Sequence, residues 1–236
     1  MIKSIFASML DGILRVGGTF EERAEGYFPF TPLNILYMML EKKSLSILDV
    51  GCGKGHPMRF INRSRRFSTV GIDLFAPYIR DCKMNRTHDD YVLCDMRALP
   101  FKKRSFDLVL GLRVCEHLTA NEAERLLADM ECIARRQVVI IVPAGTFEQS
   151  PFENNPYQRH RSYLTQAQLK QRGYKVQVNG LRGVQGDTAK IGRFRTLVAL
   201  SGHMLWVISG PIIFLMPSLG ANLVAAKNVR NGCSSR

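Results

Sequence analysis

The sequence predicts an α/β domain built on a mainly parallel sheet, and three observations carry that prediction. From about Ser44 to Val178, short β-rich runs alternate with helical stretches, the pattern of successive βαβ units. Two central runs, Phe106–Leu112 and Val138–Val142, are nearly continuous in apolar residues, as strands are when both faces are covered. The first run, Ser46–Val50, passes into glycines at 51, 53 and 55, and a helical stretch begins at once with Pro57 in its first turn.

Taken in order, the strands are expected at Ser46–Val50, Thr69–Ile72, Tyr91–Cys94, Phe106–Leu112, Val138–Val142 and Tyr174–Val178, with Asn222–Lys227 returning as a last strand. Helices are expected at Pro57–Arg66, Ala76–Asn85, Ala120–Arg135 and Thr165–Arg172. Thr119 with Glu122, and Thr165 with Gln168, have the spacing of capping boxes, which satisfy the first free amides of a helix.

The remaining segments divide as an N-terminal helical cap over residues 1–43, a core over 44–180, an apolar insertion over 195–220 and the last strand over 221–230, all in one domain. Met1–Val16 has apolar residues at helical spacing, with Asp11 inside the stretch and no small-residue cleavage site, so it reads as an amphipathic helix and not a secretory signal. Thr196–Ala226 contains no Lys, Arg, Asp or Glu. It reaches the roughly 20 residues a membrane span needs, but Gly202, Gly210-Pro211 and Pro217 divide it. A bent hairpin dipping into a membrane, or an apolar cap over a site, is expected there in preference to a simple span.

Composition narrows the partners. Apolar residues make up 46% and charged residues 22% of 236, which excludes disordered, collagenous and coiled-coil chains. A net charge of +13 favours an anionic partner, a membrane surface or nucleic acid. Basic residues bracket the uncharged stretch (Lys190, Arg193, Arg195, then Lys227 and Arg230), which tilts the expectation towards the cytoplasmic face of an anionic membrane, with nucleic acid the lesser candidate. The six cysteines show no metal-ligand spacing, so free thiols in a reducing compartment, and no metal, are expected.

The chemistry is expected at the first strand's end. Glycines there let a ligand approach the main chain, and Asp73 lies 22 residues past Gly51, where nucleotide-binding units place a carboxylate on ribose hydroxyls. The spacing is GxGxG, preceded by Asp49; an anion so close suits a cationic group better than a pyrophosphate. Asp49-Val-Gly-Cys-Gly-Lys-Gly55, with Asp73, Cys94-Asp95-Met96, Ser105-Phe-Asp-Leu-Val-Leu and Glu116-His-Leu118, resembles the class I S-adenosylmethionine-dependent methyltransferases. The resemblance runs from about Leu33 to Val178 and resumes at the last strand.

The resemblance implies a Rossmann-like seven-stranded, mostly parallel sheet with an antiparallel last strand, the apolar helical insertion falling between strands six and seven. It implies S-adenosyl-L-methionine as cofactor. Gly51, Gly53 and Gly55 would line the methionine moiety with Asp49 near its amino group. Asp73 and Leu74 would hold the ribose, Asp95 and Met96 the adenine, and Leu112 and Arg113 would flank the methyl-donor end.

A base is needed only if the acceptor is a protonated nucleophile, and His117 and His160 are the candidates. Tyr27, Tyr157, Arg159 and Tyr163 are candidate substrate contacts. The leading expectation is methyl transfer to a small or lipid-linked acceptor at a membrane surface. A nucleic-acid methyltransferase and a non-catalytic, cofactor-binding, membrane-associated protein are the alternatives. The sequence leaves the acceptor and the oligomeric state open.

Overall fold

The structure, a computed structural model, describes residues 31–145, 155–181 and 220–229. The helix expected at Met1–Val16, Tyr27, and the apolar stretch Thr196–Leu219 lie outside the described residues. Among the described residues, no helix is long and apolar enough to cross a membrane.

In chain order the elements are α1 (Pro32–Met39), β1 (Ser46–Val50), α2 (His56–Ile61), β2 (Ser68–Asp73), α3 (Ala76–Met84), β3 (Asp90–Leu93), β4 (Phe106–Leu112), α4 (Ala120–Ile133), β5 (Ala134–Pro143), α5 (Gln166–Gln171), β6 (Lys175–Leu181) and β7 (Gly220–Asn228). Short 3₁₀ turns occupy Cys115–His117 and Pro156–Gln158. The seven strands form one sheet in the order β3-β2-β1-β4-β5-β7-β6. β1 to β5 pair in parallel, whereas β7 runs antiparallel to both β5 and β6.

Strand alternation explains why even the continuous apolar runs are fully buried. Leu48 and Val50 of β1, Val109 of β4 and Val138, Ile140 and Val142 of β5 pack with α4 on one face. Ile47, Leu108, Leu110, Val139 and Ile141 face the other way, onto Leu33 and Leu36 of α1 and Met58 and Ile61 of α2. Each face is covered by helices, as a mainly parallel sheet requires.

Polar ties fix the edges. Buried Gln137 accepts from the Glu41 amide and donates to the Met39 carbonyl and to Asn228 Oδ1, joining α1, β5 and β7. Glu131 of α4 accepts from Arg172, Tyr174 and Lys227, so one carboxylate joins α4 to the turn before β6 and to β7. Both expected capping boxes form.

Two readings need correction. The helix expected at Pro57–Arg66 stops at Ile61, because the Asn62 side chain donates to the Phe67 carbonyl and accepts from its amide, closing a loop in its place. Arg63, Arg65 and Arg66 therefore belong to a connection that enters β2. Cys52, Cys82, Cys94 and Cys115 are free thiols, but Cys132 is disulfide-bonded, contrary to the expectation of free thiols throughout.

Candidate active site

The parallel strands end at one edge of the sheet, and a cavity of about 320 Å³ opens there. This is the edge where α/β sheets bind ligands, beyond the carboxyl ends of the strands. Its wall includes Gly51 and Gly53 after β1, Asp73 and Leu74 after β2, Asp95 to Arg97 after β3, and Arg113, Val114 and His117 after β4. Asn155, Tyr157, Arg159 and Arg161 from the segment after β5 close the other side.

The glycine turn is built for close approach. Gly51, Gly53 and Gly55 all have positive φ, which residues with a Cβ adopt only under strain. A Cβ on Gly51 would lie 2.3 Å from Val114 Cγ1, and one on Gly55 would lie 2.4 Å from Thr87 Oγ1. At Gly53 a Cβ would meet nothing within 4 Å, so this position leaves open space beside the cavity, of the kind a ligand fills. Gly55 supports the turn from behind and is not part of the wall.

Asp73 stands where the motif places it. Its carboxylate accepts from the Gly53 amide at 2.9 Å and the Phe75 amide at 2.8 Å. Burial raises its pKa above the ordinary carboxylate value, and those two donors offset only part of that rise. Asp95 also reaches the cavity, but Arg97 engages both its oxygens, through Nε at 3.0 and 2.9 Å and Nη2 at 2.5 Å. That hydrogen bonding keeps the Asp95 carboxyl below the usual carboxylate range. Met96 packs between the cavity and the α4-side core.

Several expected residues lie elsewhere. Asp49 is buried and its Oδ2 lies 3.0 Å from His88 Nε2, away from the wall. Thr87 Oγ1 holds the other ring nitrogen at 2.9 Å, and Gly71 is glycine where the ring presses on β2. Burial lowers the pKa of His88, but its bonds to Asp49 and Cys82 outweigh that and raise it to about 9. Leu112 turns towards the α1-side core and not into the cavity. Tyr163 is exposed outside the wall.

On the acceptor side, Arg113 enters the cavity from a left-handed conformation at φ 58°, its amide held by the Ile141 carbonyl at 2.8 Å. His117 and His160, the two candidate bases, sit together with ring centroids 5.2 Å apart, and only His117 is in the wall. Burial lowers the His117 pKa, which keeps the ring neutral at pH 7. Beside them Glu116 is buried, and burial pushes its carboxyl up to about 7. The sequence singles out neither Arg97 nor Glu116 as a site residue: Glu116 is visible there only as part of the Glu116-His-Leu118 motif, and Arg97 lies in a loop whose path the sequence does not reveal.

Residues 48–142 match the family described as a methyltransferase domain. A probable tRNA methyltransferase 9B of Bos taurus is 25% identical over 109 residues, 46% of this chain and 22% of that protein. Malonyl-[acyl-carrier protein] O-methyltransferase of Pseudescherichia vulneris is 31% identical over 87 residues, 36% of this chain and 34% of the relative. The chain thus spans well under half the length of these curated relatives. A Haemonchus contortus phosphoethanolamine N-methyltransferase, solved with phosphomonomethylethanolamine and S-adenosylhomocysteine, shares the fold at a TM-score of 0.57 and 17% identity, over 84% of this chain and 52% of that one.

Proposed function

We propose, from the match of residues 48–142 to the methyltransferase-domain family, that the protein transfers a methyl group from S-adenosylmethionine to a small acceptor bearing an acidic group. The cofactor supplies a methyl group already activated on a sulfonium. The residues fit it: Gly53 leaves main chain and space for its amino-acid end, Asp73 keeps carboxylate lone pairs for the ribose diol, and Met96 offers an apolar face to the adenine. Asp95, tied to Arg97, would share its oxygens with the adenine amino group.

The single observation that carries the acceptor reading is the acceptor-side wall. Arg113 and Arg159 line the cavity together with the glycine turn, and guanidinium groups bind carboxylates and phosphates through paired donors. Malonyl and phosphoethanolamine groups, handled by the relatives named above, are acids of this kind. Because the sulfonium already activates the methyl group, these residues contribute chiefly by positioning the acceptor.

The nucleic-acid reading draws on the +13 charge and the tRNA methyltransferase relatives. However, Arg63, Arg65 and Arg66 precede β2, which puts that basic cluster at the edge of the sheet opposite the cavity. The membrane-surface reading rests on the charge pattern around Thr196–Ala226. The deciding experiment is incubation of the protein with methyl-labelled cofactor and, in parallel, carboxylate- and phosphate-bearing small molecules and bulk tRNA. Label in an acidic small molecule, with KM for that acceptor raised about 10-fold in Arg159→Ala, supports the reading; label only in tRNA overturns it.

A further inference from the structure

We propose that Glu116, His117 and His160 form a divalent-metal site of the two-histidine, one-carboxylate kind, set in the acceptor side of the cavity. One ligand atom from each residue lies within 4.8 Å of the others. Imidazole and carboxylate together suit first-row divalent ions, and three protein ligands with an open fourth position is the form of catalytic zinc sites.

An independent observation points to the same occupant. Glu116 is buried, and its Oε2 has no hydrogen-bond partner. A buried carboxylate oxygen without a donor is costly to maintain, and a cation bound by the neighbouring imidazoles is the compensation this arrangement offers. Nothing else in the described mechanism uses that oxygen.

The main chain delivers the third ligand. The amides of Arg161 and Ser162 donate to the Glu116 carbonyl at 2.7 and 3.3 Å, pinning the segment that carries His160 onto the 3₁₀ turn that carries the other two ligands. The Arg159 carbonyl lies 3.4 Å from His117 Nδ1, the type of outer partner that orients a metal-binding imidazole. In a tetrahedral site with ligand bonds of about 2.1 Å, ligand atoms stand roughly 3.4 Å apart. The three groups therefore need to close by up to about 1.4 Å, which side-chain rotations supply.

Because His117 is in the cavity wall, the fourth position would face the acceptor. There the ion would hold an acceptor oxygen and ease loss of its proton to solvent. Arg113 and Arg159 oppose a bare cation, and an acidic acceptor meeting both the ion and the guanidinium groups relieves that repulsion. The acceptor step rests on the methyl-transfer reading; the metal site itself does not.

The test is calorimetric titration of the chelator-treated full chain with Mn²⁺ and Zn²⁺, together with the absorption spectrum of the Co²⁺ form. One equivalent of Mn²⁺ or Zn²⁺ should bind, weakened about 100-fold in His117→Ala and His160→Ala. The Co²⁺ spectrum should show nitrogen and oxygen ligation with no thiolate charge-transfer band. Glu116→Gln should weaken binding likewise, and because Glu116 is buried, His160→Ala, on a loop, guards against a failure of that variant to fold. No binding, affinity unchanged in both histidine variants, or a thiolate band from the free cysteines overturns the site. A parallel titration with S-adenosylhomocysteine separates the two readings: metal binding without it retains this site and removes methyl transfer, and the reverse result does the opposite.

Discussion

The Gly53 amide donates to Asp73 Oδ2 over 2.9 Å, tying the turn after β1 to the end of β2. One carboxylate therefore does two jobs. It holds the glycine turn in its left-handed conformation, and it presents its remaining lone pairs to the cavity. The two glycines nearest it make different demands, which mutation can separate.

Gly51→Ala acts on folding. The new Cβ would lie 2.3 Å from Val114 Cγ1, in a backbone at φ 67°. The combined clash and backbone strain should cost about 2–4 kcal/mol, lowering Tm by roughly 5–15 °C. Thermal unfolding followed by circular dichroism measures it.

Gly53→Ala acts on binding. Nothing lies within 4 Å of the added Cβ, so the fold should lose only about 1 kcal/mol from the positive φ. The methyl group occupies the space the cofactor needs, and affinity for S-adenosylhomocysteine should fall about 10-fold or more while Tm stays within roughly 5 °C of the parent.

His88 gives the stability a pH dependence. Its pKa is about 9 in the fold against the ordinary 6.5, so the protonated ring binding Asp49 stabilises the fold fully below about pH 6.5. That contribution drains away as pH rises through 9. Tm should drop by roughly 5–10 °C between pH 6.5 and 9.5, and His88→Gln should start lower and lose most of that slope. A parent Tm flat across this window contradicts the assignment.

Membrane association is checked by flotation. Vesicles rich in phosphatidylglycerol should carry the full chain, vesicles of phosphatidylcholine alone should not, and removing Thr196–Leu219 should weaken recovery with the anionic vesicles. Recovery of the intact chain wholly in the soluble fraction with both contradicts the reading.

Much of the fold was legible because its signals are local and periodic. β1 and β4 match the sequence reading residue for residue, and β7 was found through its return to apolar, β-rich composition after the uncharged stretch. The failures are all non-local. Nothing in the sequence shows that Asn62 would bridge to Phe67 and end α2 early, because an Asn reads equally well as an exposed helix residue. The family resemblance implies Asp49 near the cofactor's amino group, but its partner, His88, comes from the turn before β3 and reaches it across Gly71. Glu116, His117 and His160 carry no metal-ligand spacing as a set. They meet only because two main-chain bonds fold the segment after β5 back onto the 3₁₀ turn.

The central claim, that the cavity beyond β1, β2 and β3 holds S-adenosylmethionine, is tested most directly by calorimetric titration of S-adenosylhomocysteine into the parent, Gly53→Ala and Asp73→Ala proteins. The parent should bind one-to-one, with about 10-fold or greater weakening in Gly53→Ala and weakening of about 10- to 100-fold in Asp73→Ala from loss of a charged hydrogen-bond acceptor. No heat of binding with the parent, or affinity unchanged in both variants, contradicts it.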